Sequence, residues 1–279
     1  MIRDFKLKDV GAINEIISRG DIIDEIDVIK DIQSQSEKFL VYDDAVIKGF
    51  AYAVKRAEGK NEWNVEVYVD IKERRKGIGT ALYEELFRYL EQEKPSVLVT
   101  EFRVDIKDPT LFYERLGYQK WYGCPNLFYK GSVQHNIDIS FVNYEDKYYE
   151  QYAKCRQECF YDLRKEYDFK PYFIPMSKED RKNFLNEKDS IYIALDKDEI
   201  IACTTVKNGY IDNIMVPPAY QGMGYGKKAT QFAINKALSE GVQSIYLCYI
   251  DGNEKADKLY KSLGFETLQI IHVHRKFIG

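Results

Sequence analysis

One register constrains this chain more than any other property: it carries the same two segments twice. RRKGIGTAL (Arg74 to Leu82) and LFYERLGY (Leu111 to Tyr118) return as QGMGYGKKA (Gln221 to Ala229) and KLYKSLGF (Lys258 to Phe265). Gly77 and Gly224, Gly79 and Gly226, Tyr113 and Tyr260, and Gly117 and Gly264 are each 147 positions apart. Gly-rich turns and Tyr-x-x-Leu-Gly helix ends are common singly. Two of them held at one offset point to duplication of a whole domain, with a period too long for a solenoid. A chain of 279 residues has room for two domains of ordinary size. The pattern breaks at Lys130-Gly131-Ser132, which divides the sequence into 1–132 and 137–279.

Each half shows the same coarse order. Alternating or β-branched runs predict strands near 1–5, 39–42, 46–54 and 63–69. Helical periodicity follows, with Leu82, Leu86, Tyr89 and Leu90 on one face. A buried strand near 96–100 comes next, then a helix near 110–116 closed by Gly117, a residue suited to the left-handed conformation at a helix end. The second half opens with a strand-like run at 137–142. It then repeats the order, with strands near 191–195, 200–206 and 210–216, a helix near 226–238, a strand near 244–249 and a helix near 255–263 closed by Gly264. The fold class is α/β (α+β).

Composition removes several function classes. Hydrophobic residues make up 45% and charged residues 31%, so the chain is expected to fold throughout. Met1-Ile-Arg-Asp-Phe-Lys interleaves charge with apolar residues where a secretion signal needs an unbroken apolar stretch, and no run approaches the roughly 18 apolar residues of a membrane span. Five cysteines without a Cys-x-x-Cys pair read as reduced thiols, and a cytoplasmic location is expected. No metal is expected: Cys155 and Cys159 share a helix face, where packing is the better explanation, and His272 and His274 share a strand face with no third ligand nearby. Residues up to Gln134 hold 21 basic and 24 acidic side chains and the remainder 20 and 21, so neither half has the charge of a nucleic-acid binder. An anionic ligand must be held by local geometry.

The Gly-rich turns offer that geometry. In each half a strand ends, a turn bearing glycine follows, and a helix begins, so unpaired backbone N–H groups and the helix dipole converge on one point. A pyrophosphate is the natural occupant. A nucleotide-triphosphate loop needs Gly-Lys-Ser/Thr, which neither turn has, and a dinucleotide fingerprint needs a third spaced glycine early in a βαβ unit, which Gly77-Ile78-Gly79 lacks. What remains is Arg/Gln-x-x-Gly-x-Gly after a central strand. Arg74-Arg75-Lys76-Gly77-Ile78-Gly79 and Gln221-Gly222-Met223-Gly224-Tyr225-Gly226 both fit it. This pattern resembles the coenzyme A loop of the GNAT family of N-acetyltransferases. LFYERLGY and KLYKSLGF are similar to the family's second motif, a Tyr-bearing helix ending Leu-Gly-aromatic. The resemblance covers both halves nearly end to end.

The resemblance implies two tandem domains, each a mixed, mostly antiparallel sheet flanked by helices and splayed open between its fourth and fifth strands. Acetyl-CoA, or another acyl-CoA, would lie in the wedge as co-substrate. The turn positions Arg74, Arg75, Lys76, Gly77, Ile78, Gly79 and Thr80, and Gln221, Gly222, Met223, Gly224, Tyr225, Gly226 and Lys227, would hold its diphosphate. Backbone groups of Val67, Tyr68 and Val69, and of Ile214, Met215 and Val216, would pair with the pantetheine amides. Tyr113 and Tyr260 stand where the family's tyrosine protonates the leaving thiolate; the competing reading makes them core aromatics of an amphipathic helix.

Acyl transfer requires a neutral amine, so a base must take its proton. Glu66 and Asp212 lie on the corresponding strands, one position out of register, and are the candidates; each is equally readable as a solvent-facing strand carboxylate. Asn253, seven residues before Tyr260, matches a spacing the family often shows, while its counterpart in the first half is Ile106. That asymmetry favours the second half as the active copy. An aromatic-rich stretch from Tyr148 to Tyr172, including Tyr161, is expected to shape the acceptor site or to be helix core. The acceptor is expected to be a small-molecule or peptide amine, with no nucleic acid and no membrane as partner. The chain would act as a monomer with an internal pseudo-dimer or as a homodimer. The competing class is an acyl-CoA sensor or scaffold in which one or both copies are non-catalytic.

Overall fold

A computed structural model describes residues 1–19, 35–56, 61–135 and 137–279. They pack as two units, one formed by Met1–Gly123 with Ile270–Gly279 and the other by Cys124–Gln269.

The first unit contains β1 (Ile2–Asp4), α1 (Val10–Arg19), β2 (Lys38–Asp44), β3 (Val46–Lys55), β4 (Glu62–Val69), α2 (Ile78–Glu93), β5 (Val97–Arg103) and α3 (Thr110–Arg115). Strands β1 to β4 form an antiparallel meander. Strand β4 then runs parallel to β5, but only from Glu62↔Val97 to Asn64↔Val99; beyond Asn64 the two strands part. Helix α2 follows from the sequence spacing. Ile78, Leu82, Leu86 and Leu90 recur every fourth residue, are at most 5% exposed, and pack on Ala51, Ala53, Val65 and Leu98 of the sheet. Each such leucine contributes roughly 1.5–3 kcal/mol by leaving water. Lys94 ends the helix in the left-handed conformation, its N–H bonded to Leu90 O, and Pro95 cannot continue it.

The second unit repeats the plan with β7 (Phe141–Asn143), α4 (Tyr149–Glu166), α5 (Lys178–Asn186), β8 (Ile191–Asp196), β9 (Glu199–Lys207), β10 (Tyr210–Met215), α6 (Tyr225–Ser239), β11 (Ile245–Cys248) and α7 (Glu254–Ser262). Its central strands also part: β10 pairs parallel with β11 only at Tyr210↔Tyr246. The strand expected at 137–142 is shorter and later than its β-branched composition predicts, spanning only Phe141–Asn143.

Two long strands complete the units in an exchanged order. β6 (Gln119–Tyr129) follows the first half's motif helix, yet its residues 126–129 pair antiparallel with β11 of the second unit. β12 (Glu266–Phe277) ends the chain and pairs with β5 of the first unit, from Ile271↔Arg103 to Phe277↔Val97. The sequence repeat changes over at 132–137, but the packed units divide elsewhere. β5 and β11 each need an antiparallel neighbour, and the two copies satisfy one another's edge.

Candidate active site

The two turns are built alike. Gly77 and Gly224 are the helix N-caps of α2 and α6, each at φ 82°. A Cβ added at either would meet nothing within 4 Å, so the concave face of each turn is open and the positive φ is what excludes other residues. Ala81 and Lys228 are the residues whose N–H groups reach back to Gly77 O and Gly224 O, at 3.0 and 3.2 Å. The three preceding amides in each helix therefore have no intrahelical acceptor and face the cradle. The first motif residue tethers the turn to the end of the splayed strand: Arg74 Nε donates to Val69 O and Gln221 Nε2 to Val216 O, both at 3.1 Å. The same contact at positions 147 apart shows that Arg and Gln there shape the loop. Arg75, also at positive φ, and Lys76, paired with Glu73 at 3.0 Å, are exposed. Ile78 is a core residue, and Thr80, Met223 and Lys227 are exposed, with Tyr225 half-buried.

The wedges differ. In the first unit β3 and β4 stay in register from Gly49↔Val69 to Lys55↔Trp63, so Glu66 keeps its inward direction. It is 6% exposed. Glu101 N–H donates to Glu66 Oε1 at 3.0 Å and the Thr100 hydroxyl to Oε2 at 3.3 Å, so this carboxyl bridges the parted strands. Burial, then the nearby Glu101 carboxylate, push its pKa well above the usual carboxylate range. The Tyr113 hydroxyl interacts with Thr100 and the Val67 backbone, and its ring lies flat on Phe102 at 4.9 Å. Val67, Val69 and Tyr68 are half-buried, with the two valines packed toward α2 and Tyr68 toward α1.

In the second unit the register between β9 and β10 slips between Asp212↔Thr205 and Met215↔Cys203, and Asn213 sits at φ 49°. This is a β-bulge. It shifts the alternation: Ile211 and Ile214 pack into the cluster under α6, while Met215 joins the cluster with Tyr152 and Cys155 of α4. Counting by the 147-residue repeat, Asn213 and not Asp212 corresponds to Glu66, which explains the one-position mismatch in sequence. Asp212 is exposed, and its Oδ1 accepts the Asn213 N–H at 2.8 Å. Tyr260 is 8% exposed; burial, with Cys248 and Asp212 nearby, raises its pKa. Among the described residues its hydroxyl has no hydrogen-bond partner.

Asn253 caps α7, its Oδ1 accepting the Ala256 N–H at 3.1 Å, so its side-chain oxygen is committed to the helix start. Tyr161 is 38% exposed, whereas the Tyr172 hydroxyl donates to Asp168 Oδ1 at 2.6 Å.

Residues 150–265 match the acetyltransferase (GNAT) family and residues 35–120 the acetyltransferase (GNAT) domain, so both halves are claimed independently. The chain belongs to the GNAT family of acetyltransferases. It is 33% identical over 106 residues to a ribosomal protein bS18-alanine N-acetyltransferase of Haemophilus ducreyi, covering 36% of this chain and 71% of that relative. It is 38% identical over 69 residues to a thialysine N-epsilon-acetyltransferase of Mus musculus, covering 25% of this chain and 41% of that one, so it spans well under half of that relative's length. A tandem GNAT protein from the clavulanic acid biosynthesis pathway has the same fold at 13% identity, with TM-score 0.66 over 100% of this chain and 98% of the other.

In this GNAT chain, sequence reasoning placed Glu66 and Tyr113 together, and Asp212 and Tyr260 together. It missed Thr100 and Glu101, which meet Glu66 across the wedge, and Cys248, which neighbours Asp212 and Tyr260. The signal for all three was available: Thr100 and Glu101 follow Val99, where β5 parts from β4, and Cys248 ends β11 just past its parting from β10. No group of three or more metal-binding side chains occurs among the described residues, and no helix there is long and apolar enough to cross a membrane.

Proposed function

We propose that the second unit is the working copy of an acetyl-CoA-dependent N-acetyltransferase. It moves an acetyl or other short acyl group to a primary amine, on a small molecule or a peptide, by direct transfer in a ternary complex. One observation carries this reading. Tyr260 is buried with Asp212 and Cys248 near enough to raise its pKa, whereas Tyr113 interacts with Thr100 and the Val67 backbone.

The cradle around Gly224 receives the diphosphate, and backbone groups of Ile214 to Val216 on the free edge of β10 align the pantetheine and polarise the thioester carbonyl. Asp212 takes the proton of the attacking amine, directly or through one water. Tyr260, kept protonated by its raised pKa, gives its proton to the departing thiolate. General acid–base help contributes roughly 10²- to 10⁴-fold, while alignment of the two substrates supplies up to about 7–11 kcal/mol, so positioning dominates.

A second reading applies to the first unit. Glu66 and Tyr113 already use the Glu101 and Val67 backbone across its wedge, which supports a scaffold role for that copy. Thiol release from acetyl-CoA with a panel of amines, including an alanine N-terminus and a thialysine-like side chain, tests both. Tyr260→Phe is expected to lower kcat roughly 10²-fold or more without abolishing it, and Tyr113→Phe to leave it unchanged. The opposite pattern assigns catalysis to the first unit. Binding of acetyl-CoA without thiol release across the panel makes the chain a sensor.

A further inference from the structure

The chain has two pairs of adjoining thiols, and they differ in every property that governs thiol chemistry. On α4, Cys155 and Cys159 are one turn apart with their Sγ atoms at 3.8 Å. Cys155 is 3% exposed, and the Cys159 thiol donates to Val216 O at 3.2 Å. The contact with Cys159 lowers the pKa of Cys155 but is outweighed by its bond with Cys203 and by burial, while the contact with Cys155 and burial raise that of Cys159. Cys203 is fully buried. Cys155 and Cys159 therefore stay protonated and unreactive, and Cys203 is closed off from solvent.

The other pair lies in the second unit beside its wedge. Cys248 is the last residue of β11 and stands opposite Asn126 of β6. Cys124 is two residues along β6 from Asn126, so the two thiols share a sheet face on a diagonal. The interaction with Cys124 lowers the pKa of Cys248 against the opposing effects of burial and of Asp212. Cys248 is exposed and Cys124 half-buried. An accessible sulfur whose pKa is lowered, with a second thiol on the same sheet face, is what a reversible sulfur switch requires. The same Cys248 adjoins Asp212 and Tyr260.

We propose that Cys248 and Cys124 form a redox-active pair, closed to a disulfide by a peroxide, that switches off acyl transfer at the adjoining site. The Cys248 thiolate attacks one peroxide oxygen, the O–O bond breaks, and the other oxygen leaves as hydroxide that is protonated to water. The resulting sulfenic acid is attacked by Cys124 sulfur, its S–O bond breaks, and a second water leaves. Two thiols and hydrogen peroxide give one disulfide and two waters, with two electrons passing from the sulfurs to the peroxide. The link pins the end of β11 to β6 at the root of the 249–253 segment that leads into α7. Tyr260 is carried on that helix, and a displacement of about 1 Å is enough to cost on the order of 10²-fold in rate. The effect on activity rests on the second unit being the working copy.

The full chain, reduced and then treated with hydrogen peroxide, is freed of oxidant and digested without reductant for mass analysis. The expected product joins the Cys124 and Cys248 peptides, two hydrogens lighter than their sum, with Cys155, Cys159 and Cys203 still thiols. Turnover falls at least tenfold and returns with dithiothreitol. Cys124→Ser is expected to keep reduced-state turnover, to form no such link, and to lose activity to peroxide in a way dithiothreitol does not reverse, because Cys248 proceeds to the sulfinic acid. A link elsewhere, no link, or a link that leaves turnover intact overturns the proposal. An active chain that never links sinks the redox pair alone; a chain that links but shows no transfer when reduced sinks the enzyme assignment and leaves the pair standing.

Discussion

Gly77→Ala and Gly224→Ala make a matched experiment, because the two glycines have the same φ of 82° and the same empty space where a Cβ would go. An L-residue held in the left-handed region costs roughly 1–2 kcal/mol, and the less flexible unfolded chain returns about 0.4–1 kcal/mol. The net loss, about 1 kcal/mol, lowers Tm by roughly 2–4 °C for units of this size. With no steric clash to add, both variants should show that same small shift by calorimetry. Ligand binding separates them. The added methyl stands in the diphosphate's approach, and displacing one charge-assisted hydrogen bond costs about 1.5–3 kcal/mol, or about 10- to 150-fold in Kd. Gly224→Ala should therefore raise KM for acetyl-CoA at least tenfold while kcat at saturation changes little; Gly77→Ala should leave both alone. If Gly224→Ala shows the thermal shift with unaltered KM and Kd, the cradle does not hold the diphosphate. An equal KM penalty from Gly77→Ala would put acetyl-CoA in the first wedge too.

Glu66→Gln removes a buried carboxyl whose folded pKa is raised, so wild-type stability declines as pH climbs above the ordinary carboxylate range, where only the unfolded chain ionises; the variant should melt higher than wild type at pH 8 and lose that slope. His274 is fully buried with neither ring nitrogen hydrogen-bonded, and burial lowers its pKa to about 4. Unfolded histidine takes up a proton near pH 6.5 while the folded one does not, so stability should fall by about 2–3 kcal/mol as pH drops from 6.5 to 4 and level off below. His274→Phe should flatten that part of a chemical-denaturation series. Leu86→Ala, on the fully buried face of α2, should cost about 2–5 kcal/mol in urea titrations, and a loss below 1 kcal/mol would mean the helix repacks.

What could be read from the residues was local. The glycine turns, the Tyr-bearing helices and most strands were legible because each is fixed by spacing within about twenty residues. The β-bulge at Asn213 had a trace in the sequence, the one-position slip between Asp212 and Glu66, but its meaning needed the strand register. Exchange of β6 and β12 was not legible, since two similar strands at equivalent positions carry nothing in their own pattern that selects one unit over the other. Cys124 and Cys248 were counted as separate thiols because only the β6 to β11 ladder brings them together. The spacing of Asn253 points to a ligand contact, while only the structure shows that its side-chain oxygen also caps α7.

The exchange of terminal strands makes the gene indivisible. A stop codon near position 265 would spare almost everything in the second unit, yet strip β5 of the first of its neighbour and expose a raw edge. Cutting at the repeat boundary would leave the opposite fragment without residues 126–129, the neighbour of β11. Each half of the repeat thus supplies the strand that flanks the other half's fifth strand.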